Sequence, residues 1–464
     1  MGIDSLKFEN AKKKLDTDFD SGWSVINEMS ESGNEEAMIF VADCYYKGNY
    51  VEMDEPRAYQ MFNKIVSLYP DNGLIWEKIG DCHFYGYGVP KSHEAAIPKY
   101  EEAWKHGYVD AASDIGWIYA FGDIAQNNEQ TGAKWFQRAA DKGGAAGKYF
   151  MGFFYDKGYG GLPQNQKLAH KYLSEAAEAE NLSALRYLLR ERCFGDDEEF
   201  KRILDKMTQL ADEGKTSVQY DLGISYLFGF GVEKDAYKAQ ELLQKSADAG
   251  NYDAMFELGK QLVDYDSDFL TDFEKGHKYL LATAENGNLD AAYELYRYYK
   301  YHEDNLPQAI YWAEQSVDAG KNTFIRKDIA DYYYNDGDIK DYQKAIRYYE
   351  AILMDDGDFY HSQVFLPLAL CYIKQGDETR KYGKIMSLLD QAKQLSESED
   401  DYYNKPRKGE ILYWIAHMKE KESESGKNLE VAYQIYLQSA EQGFEKASIE
   451  AKKFKKTLFG WKKV

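Results

Sequence analysis

Between residues 215 and 250 the apolar and small positions fall at Leu222, Gly223 and Tyr226, and then at Ala239, Leu243 and Ala247. Their spacing of three to five residues, on either side of Gly229-Phe230-Gly231, predicts two short amphipathic helices folded back on each other. Polar residues fill the opposite side of each turn. A hairpin of this size cannot bury its own apolar faces, so it needs neighbours of the same kind.

Those neighbours are present along the chain. A glycine that closes a helix pair recurs at Gly33, Gly73, Gly107, Gly143, Gly214, Gly250, Gly287, Gly320, Gly357 and Gly443. The intervals are 33 to 40 residues apart from two of 71 and 86, each about two periods long. Degenerate repeats are therefore expected near 181–214 and 358–443. The fold class that follows is an all-α solenoid of about eleven antiparallel helix pairs, each touching only its neighbours.

Three segments are expected. Residues 1–32 read as N-terminal capping helices, with Phe8, Leu15, Trp23, Ile26 and Met29 able to cover the first repeat. Residues 33–443 form the continuous array. Residues 444–464 read as a C-terminal capping helix, running from Glu445 to about Thr457, and a basic tail. The lysines at 452, 453, 455, 456, 462 and 463 would suit the negative end of that helix dipole, or would dock on an acidic surface.

Composition supports a packed helical array. Hydrophobic residues make up 44% of the 464, aromatics 16%, and only 8 prolines interrupt, so there is apolar surface for a long core and little to break helices. The net charge of −22 argues against nucleic acid and against anionic membranes. Cys44, Cys82, Cys193 and Cys371 lie in separate repeats and read as buried thiols. The start of the chain lacks a signal-peptide core and no stretch reaches membrane-spanning length, so a cytoplasmic protein is expected.

The order Leu222-Gly223, Tyr226, Gly229-Phe-Gly231-Val232, then Asp235 and Ala239, resembles the Sel-one-like (Sel1-like) repeat, a relative of the tetratricopeptide repeat with a longer inter-helix loop. Residues 74–107, 108–143, 144–180 and 215–250 match it most closely, whereas pairs five and seven to eleven drop the Gly-x-Gly-Val loop. The resemblance implies a right-handed superhelix that acts as an adaptor for other proteins, often in bacterial signalling, stress or host-contact pathways. Within each first helix a small residue (Gly80, Gly116, Gly152, Gly223, Gly259) is expected where the second helix crosses closely.

Chemistry-bearing motifs are sparse. Gly86-x-Gly88 and Gly229-x-Gly231 follow helices rather than strands and lack a third glycine, so they are not nucleotide loops. The eight histidines form no His-x-x-x-His or His/Cys set, and no nucleophile signature appears. No cofactor, metal or catalytic residue is assigned. An enzyme site inside the array would instead have to show itself as close titratable groups with shifted pKa values.

What the resemblance leaves is the concave face, lined by first helices at positions one after, three before and four after the small residue. Asp43, Glu77, Asp81, Trp117, Tyr149, Phe153, Tyr220, Tyr293 and Arg297 are the candidate partner-binding residues. Aromatic rings not demanded by a core favour an interface, and the carboxylates beside them favour a partner with Lys or Arg. The expected function is a non-enzymatic scaffold holding a peptide or helix of another protein. The alternative is an immunity or antitoxin-like inhibitor whose acidic groove occludes a basic toxin.

Overall fold

The structure is a computed structural model that describes residues 3–124, 128–191, 197–335, 340–355, 360–398, 407–422, 426–457 and 460–464. The chain divides into two compact units, Met1–Ser246 and Ala247–Val464. In the first unit the helices α1 (Ile3–Lys14), α2 (Phe19–Glu31), α3 (Glu35–Lys47), α4 (Glu55–Leu68), α5 (Gly73–Tyr85), α6 (His93–Lys105), α7 (Ala111–Phe121), α8 (Glu129–Asp141), α9 (Ala145–Lys157), α10 (Gln166–Glu178), α11 (Leu182–Glu191), α12 (Asp197–Asp212) and α13 (Thr216–Phe228) follow one another as antiparallel hairpins. The boundary falls inside α14 (Ala236–Asp248).

The second unit continues with α15 (Tyr252–Leu262), α16 (Phe273–Glu285), α17 (Leu289–Tyr301), α18 (Leu306–Asp318), α19 (Arg326–Asn335), α20 (Tyr342–Leu353), α21 (Phe365–Lys374), α22 (Tyr382–Glu397), α23 (Lys408–Lys421), α24 (Gly426–Glu441) and α25 (Glu445–Ala451). It ends in two short strands, β1 (Phe454–Thr457) and β2 (Gly460–Lys463). Among the described residues this makes an all-α solenoid of helix pairs, in agreement with the hydrophobic pattern.

Local chemistry sets the helix ends. Asn34, Asp54, Asn72, Ser92, Asn128 and Asn165 each cap a helix by accepting a hydrogen bond from the backbone N–H three residues on, which satisfies a donor the helix leaves open. Between pairs, Gly33, Gly107, Gly143, Gly214, Gly250, Gly287, Gly320 and Gly443 take φ of 81 to 89°, the left-handed turn that reverses the chain at no Cβ cost. At the first degenerate junction a non-glycine does the same: Glu180 has φ 58°, and its backbone closes the turn by bonding Ala177. Gly73 departs from its expected role. It opens α5 rather than closing a pair, and a Cβ there would lie 3.0 Å from the carbonyls of Ala103 and His106. Gly357 and the loop at Cys193 lie outside the described residues.

The small residues of the first helices sit at helix crossings, as expected. A Cβ on Gly80 would lie 2.5 Å from Tyr100, on Gly116 2.7 Å from Phe136, on Gly152 2.6 Å from Leu173, on Gly223 2.8 Å from Leu243 and on Gly259 3.0 Å from Leu280. Each partner belongs to the second helix of the same pair, and each of Phe136, Leu173, Leu243 and Leu280 is wholly buried. Backbone contact at the crossing lets these large side chains fill the space on either side.

The second glycine of the Gly-x-Gly loop has a role that spacing did not reveal. A Cβ on Gly88 would meet the Glu55 carbonyl at 2.5 Å, and one on Gly231 the Leu189 carbonyl at 2.0 Å. The loop of one pair therefore lies directly against the backbone of the preceding pair. Gly88 N–H also donates to Glu55 Oε2 at 3.2 Å, and Gly160 N–H to Glu129 Oε2 at 3.3 Å. These loops bind a protein carboxylate where a nucleotide loop would bind phosphate, and so they join one repeat to the next.

The C-terminus differs from the expected helix. α25 stops at Ala451, and β1 pairs antiparallel with β2. The ribbon instead lies over α24, bringing Phe454 to 6.0 Å from Tyr433 and 5.8 Å from Tyr436, and stacking Trp461 on Tyr433 at 4.6 Å. Burying two rings outweighs the local helical preference.

Candidate functional site

In the first unit the helices α3, α5, α7, α9 and α11, with the loops after α5 and α9, carry rings that touch in sequence. Tyr46 meets Tyr87, Tyr87 stacks on Tyr85, and Tyr85 packs on Phe84. Phe84 meets Trp117, Trp117 meets Phe121, and Phe121 meets Phe154. From there the contacts pass through Tyr159 and Phe153 to Tyr187 and Tyr149. Centroid separations along this band run from 4.7 to 6.4 Å, the range of favourable edge and offset packing. Its outer rings remain in solvent: Tyr85 is 54% exposed, Tyr159 41% and Phe121 39%.

Trp117, Tyr149 and Phe153 thus fall in one continuous band, all partly buried. Tyr220 is partly buried on α13, beyond the helices that build the band. Tyr85 and Phe121 were missed by the pattern of inward positions. Both stand five residues after the small glycine and directly before a loop glycine, a spacing that is legible in the sequence.

Carboxylates flank the band. Asp43 is held by Lys47 at 3.1 Å, one helical turn on. Lys78 reaches Glu77 at 3.1 Å and Asp81 at 3.5 Å, and the Tyr100 hydroxyl donates to Asp81 at 3.0 Å. Asp114, on the next first helix, shares this field. Burial, then the charges of Asp81 and Glu77, pushes the Asp114 carboxyl up to about 8. Burial and Asp81 likewise push Glu77 up to about 7, against the pull of Lys78. Three carboxyl groups share one ammonium here, and the shortage of positive charge keeps Glu77 and Asp114 partly protonated near neutral pH.

Asp156 is the contrasting case. Burial raises its pKa, but hydrogen bonds from Lys157 at 2.7 Å, from Tyr187 at 2.5 Å and from Gln166 at 2.8 Å outweigh it and hold the carboxylate below its usual range. It is a satisfied structural charge.

Tyr293 and Arg297 belong to the second unit. Tyr293 packs between Tyr296 at 5.9 Å and Phe324 at 5.4 Å. Arg297 pairs with Glu294 at 2.9 Å and lines a cleft of about 470 Å³ with Lys260, Asp264, Glu294, Tyr301 and His302. The two residues therefore do not share one pocket.

Among the described residues no group of three or more His, Cys, Asp or Glu is placed to hold a metal ion, and no helix is long and apolar enough to cross a membrane. Cys44, Cys82 and Cys371 are buried free thiols, with burial pushing Cys44 up to about 11 and the other two up to about 12. None of the three has the lowered pKa of a nucleophile.

A Sel1 repeat family model matches residues 35–68, 78–97, 109–144, 145–181, 216–251, 253–288, 302–321, 328–352 and 412–444, more than half of the chain. Over 258 residues the chain is 23% identical to the chitin synthase regulator SKT5 of Saccharomyces cerevisiae, covering 51% of this chain and 36% of that protein. It thus spans about a third of the length of that curated relative. Among solved structures it is similar to c5321, described as a protective antigen of uropathogenic Escherichia coli strains with an SLR fold (22% identity, TM-score 0.38, 93% of this chain and 97% of that one). A Sel1 repeat protein from Oxalobacter formigenes is similar at 22% identity and TM-score 0.38, covering 62% of this chain and 85% of that one. With nine matched segments that together cover more than half of it, the chain belongs to the Sel1 repeat family, whose repeats suggest a scaffold for protein–protein interaction.

Proposed function

We propose that this protein is a non-enzymatic scaffold that holds a segment of another protein along the aromatic band of its first unit, in the concave groove implied by the repeat family. The observation that carries the reading is the unbroken run of ring contacts across five successive first helices, with its outer rings in solvent. Rings that already support one another lose little freedom on binding, so the apolar contact they offer translates efficiently into affinity. Glu77, Asp81 and Asp114 beside Trp117 ask for a cation, which makes a segment with Lys or Arg next to apolar residues the fitting partner. Asp43 and Tyr220 would extend this contact, and Tyr293 with Arg297 would supply a separate one on the second unit.

Glu77 and Asp114 also meet one condition for acid–base chemistry, as neighbouring carboxyls with raised pKa values. The scaffold reading is favoured because Lys78 already occupies the cluster as an ammonium, 3.1 Å from Glu77, and shows the chemistry the cluster accepts. A cytoplasmic setting fits the buried thiols.

The test is affinity purification from native lysate with the wild-type chain and with Trp117→Ala/Tyr149→Ala, followed by affinity measurement on the partner recovered. The double variant should bind roughly tenfold to a hundredfold more weakly, with helicity and melting temperature held. Equal binding, or loss of fold, would overturn the assignment. A small basic protein recovered one-to-one would turn the scaffold reading into that of an inhibitor.

A further inference from the structure

The C-terminal ribbon gathers lysines at 452, 453, 455, 456, 462 and 463 in a chain whose net charge is −22. Some of them are engaged by the body of the second unit. Lys463 pairs with Glu420 at 2.7 Å and with Glu450 at 3.0 Å, and Lys453 pairs with Glu450 at 2.6 Å. On the inner face, Phe454 and Trp461 pack on the tyrosines of α24. These contacts fix the ribbon in place.

The outer face is different. The register sets Lys455 directly opposite Lys462, and residues so paired have Cβ atoms roughly 5 Å apart, close enough for like charges to destabilise the ladder. Both are exposed, as is Lys452 in the turn before β1, and among the described residues none of these three has an ion pair, whereas Lys456 stands opposite Trp461 on the other face. A chain with 79 acidic residues leaves these three cations without an ion pair among the described residues. They are also superfluous for solubility, which the net negative charge already provides.

We propose that the outer face of the ribbon, built on Lys455 and Lys462 with Lys452 in the turn before β1, is a docking surface for a short acidic segment of a partner protein. Lys455 and Lys462, facing each other across strands of four residues, match a segment of a few carboxylates. Size is what selects a peptide. A DNA duplex or a membrane extends far beyond the Debye length of about 8 Å at physiological salt and meets the repulsion of the acidic body, whereas a short peptide feels chiefly the patch. The proposal is independent of the aromatic band, which lies in the other unit.

The test uses the full chain and a fluorescein-labelled oligo-glutamate peptide, with anisotropy read at physiological and at high salt. Binding is expected at physiological salt and should be lost at high salt. Lys455→Ser/Lys462→Ser should weaken it about tenfold, as losing two to four exposed ion pairs implies, while melting no lower than wild type because a repulsion is removed. If that variant loses helicity, Lys455→Gln alone serves, with a proportionally smaller loss. No binding by the wild type, equal binding by the variant, or tighter binding of a DNA duplex or of phosphatidylserine vesicles than of the peptide would each overturn the proposal. Self-association of the serine variant without any peptide binding would also overturn it, by assigning the lysines to protection of an open strand edge.

Discussion

Replacing Gly80 by alanine tests the idea that a small residue at the helix crossing is a packing requirement. The new Cβ would stand 2.5 Å from Tyr100 Cε1 and 2.6 Å from Cδ1, where carbon atoms prefer roughly 3.5 to 4.0 Å. Tyr100 is 1% exposed and its hydroxyl is tied to Asp81 at 3.0 Å, so moving the ring by about 1 Å strains that bond. Overpacking of this kind costs about 1–3 kcal/mol, and the higher helix propensity of alanine returns about 1 kcal/mol. The expected net loss is about 0–2 kcal/mol, at roughly 2–4 °C per kcal/mol for a unit of this size. Gly383→Ala is the control, because a Cβ there meets nothing within 4 Å; it should be neutral or slightly stabilising. Thermal melts, with hydrogen exchange resolved onto α5 and α6, measure both. If Gly80→Ala is as benign as Gly383→Ala, the crossing argument fails for all five first-helix glycines.

Two further outcomes follow from the buried charges. Arg186 pairs with Asp221 at 2.7 Å, and Asp221 is 6% exposed; Arg186→Met should cost about 1–3 kcal/mol by leaving a buried carboxylate unpaired, and Arg186→Met/Asp221→Asn should recover part of it in urea unfolding. Glu77 and Asp114 bind protons more tightly folded than unfolded, with carboxyls at about 7 and about 8 against ordinary values of 4.5 and 3.8. Their contribution is therefore complete at acid pH and is lost as pH rises towards about 8. Asp114→Asn should flatten that decline in urea midpoints measured across the range, and an unchanged profile would show that the cluster is not what sets it.

The repeat period, the pairing of helices and the glycines at the crossings were all legible in the sequence, because each depends on spacing within about one repeat. An amphipathic face recurring every three or four residues can be buried only by a neighbour, and Gly80, Gly116, Gly152, Gly223 and Gly259 mark where that neighbour approaches. The candidate rings Trp117, Tyr149 and Phe153 were singled out by the same spacing, and the structure packs each of them, partly buried, against a core cluster. Other features arise from contacts between repeats, and no spacing inside one repeat encodes them. Tertiary structure alone joined Tyr159 and Tyr187 into the band, drew Asp114 into the field of Glu77 and Asp81, and set Gly88 against Glu55. It also turned the last lysines from a helix end into a ribbon, because Phe454 and Trp461 gain more by lying on α24 than the backbone gains from further helical turns.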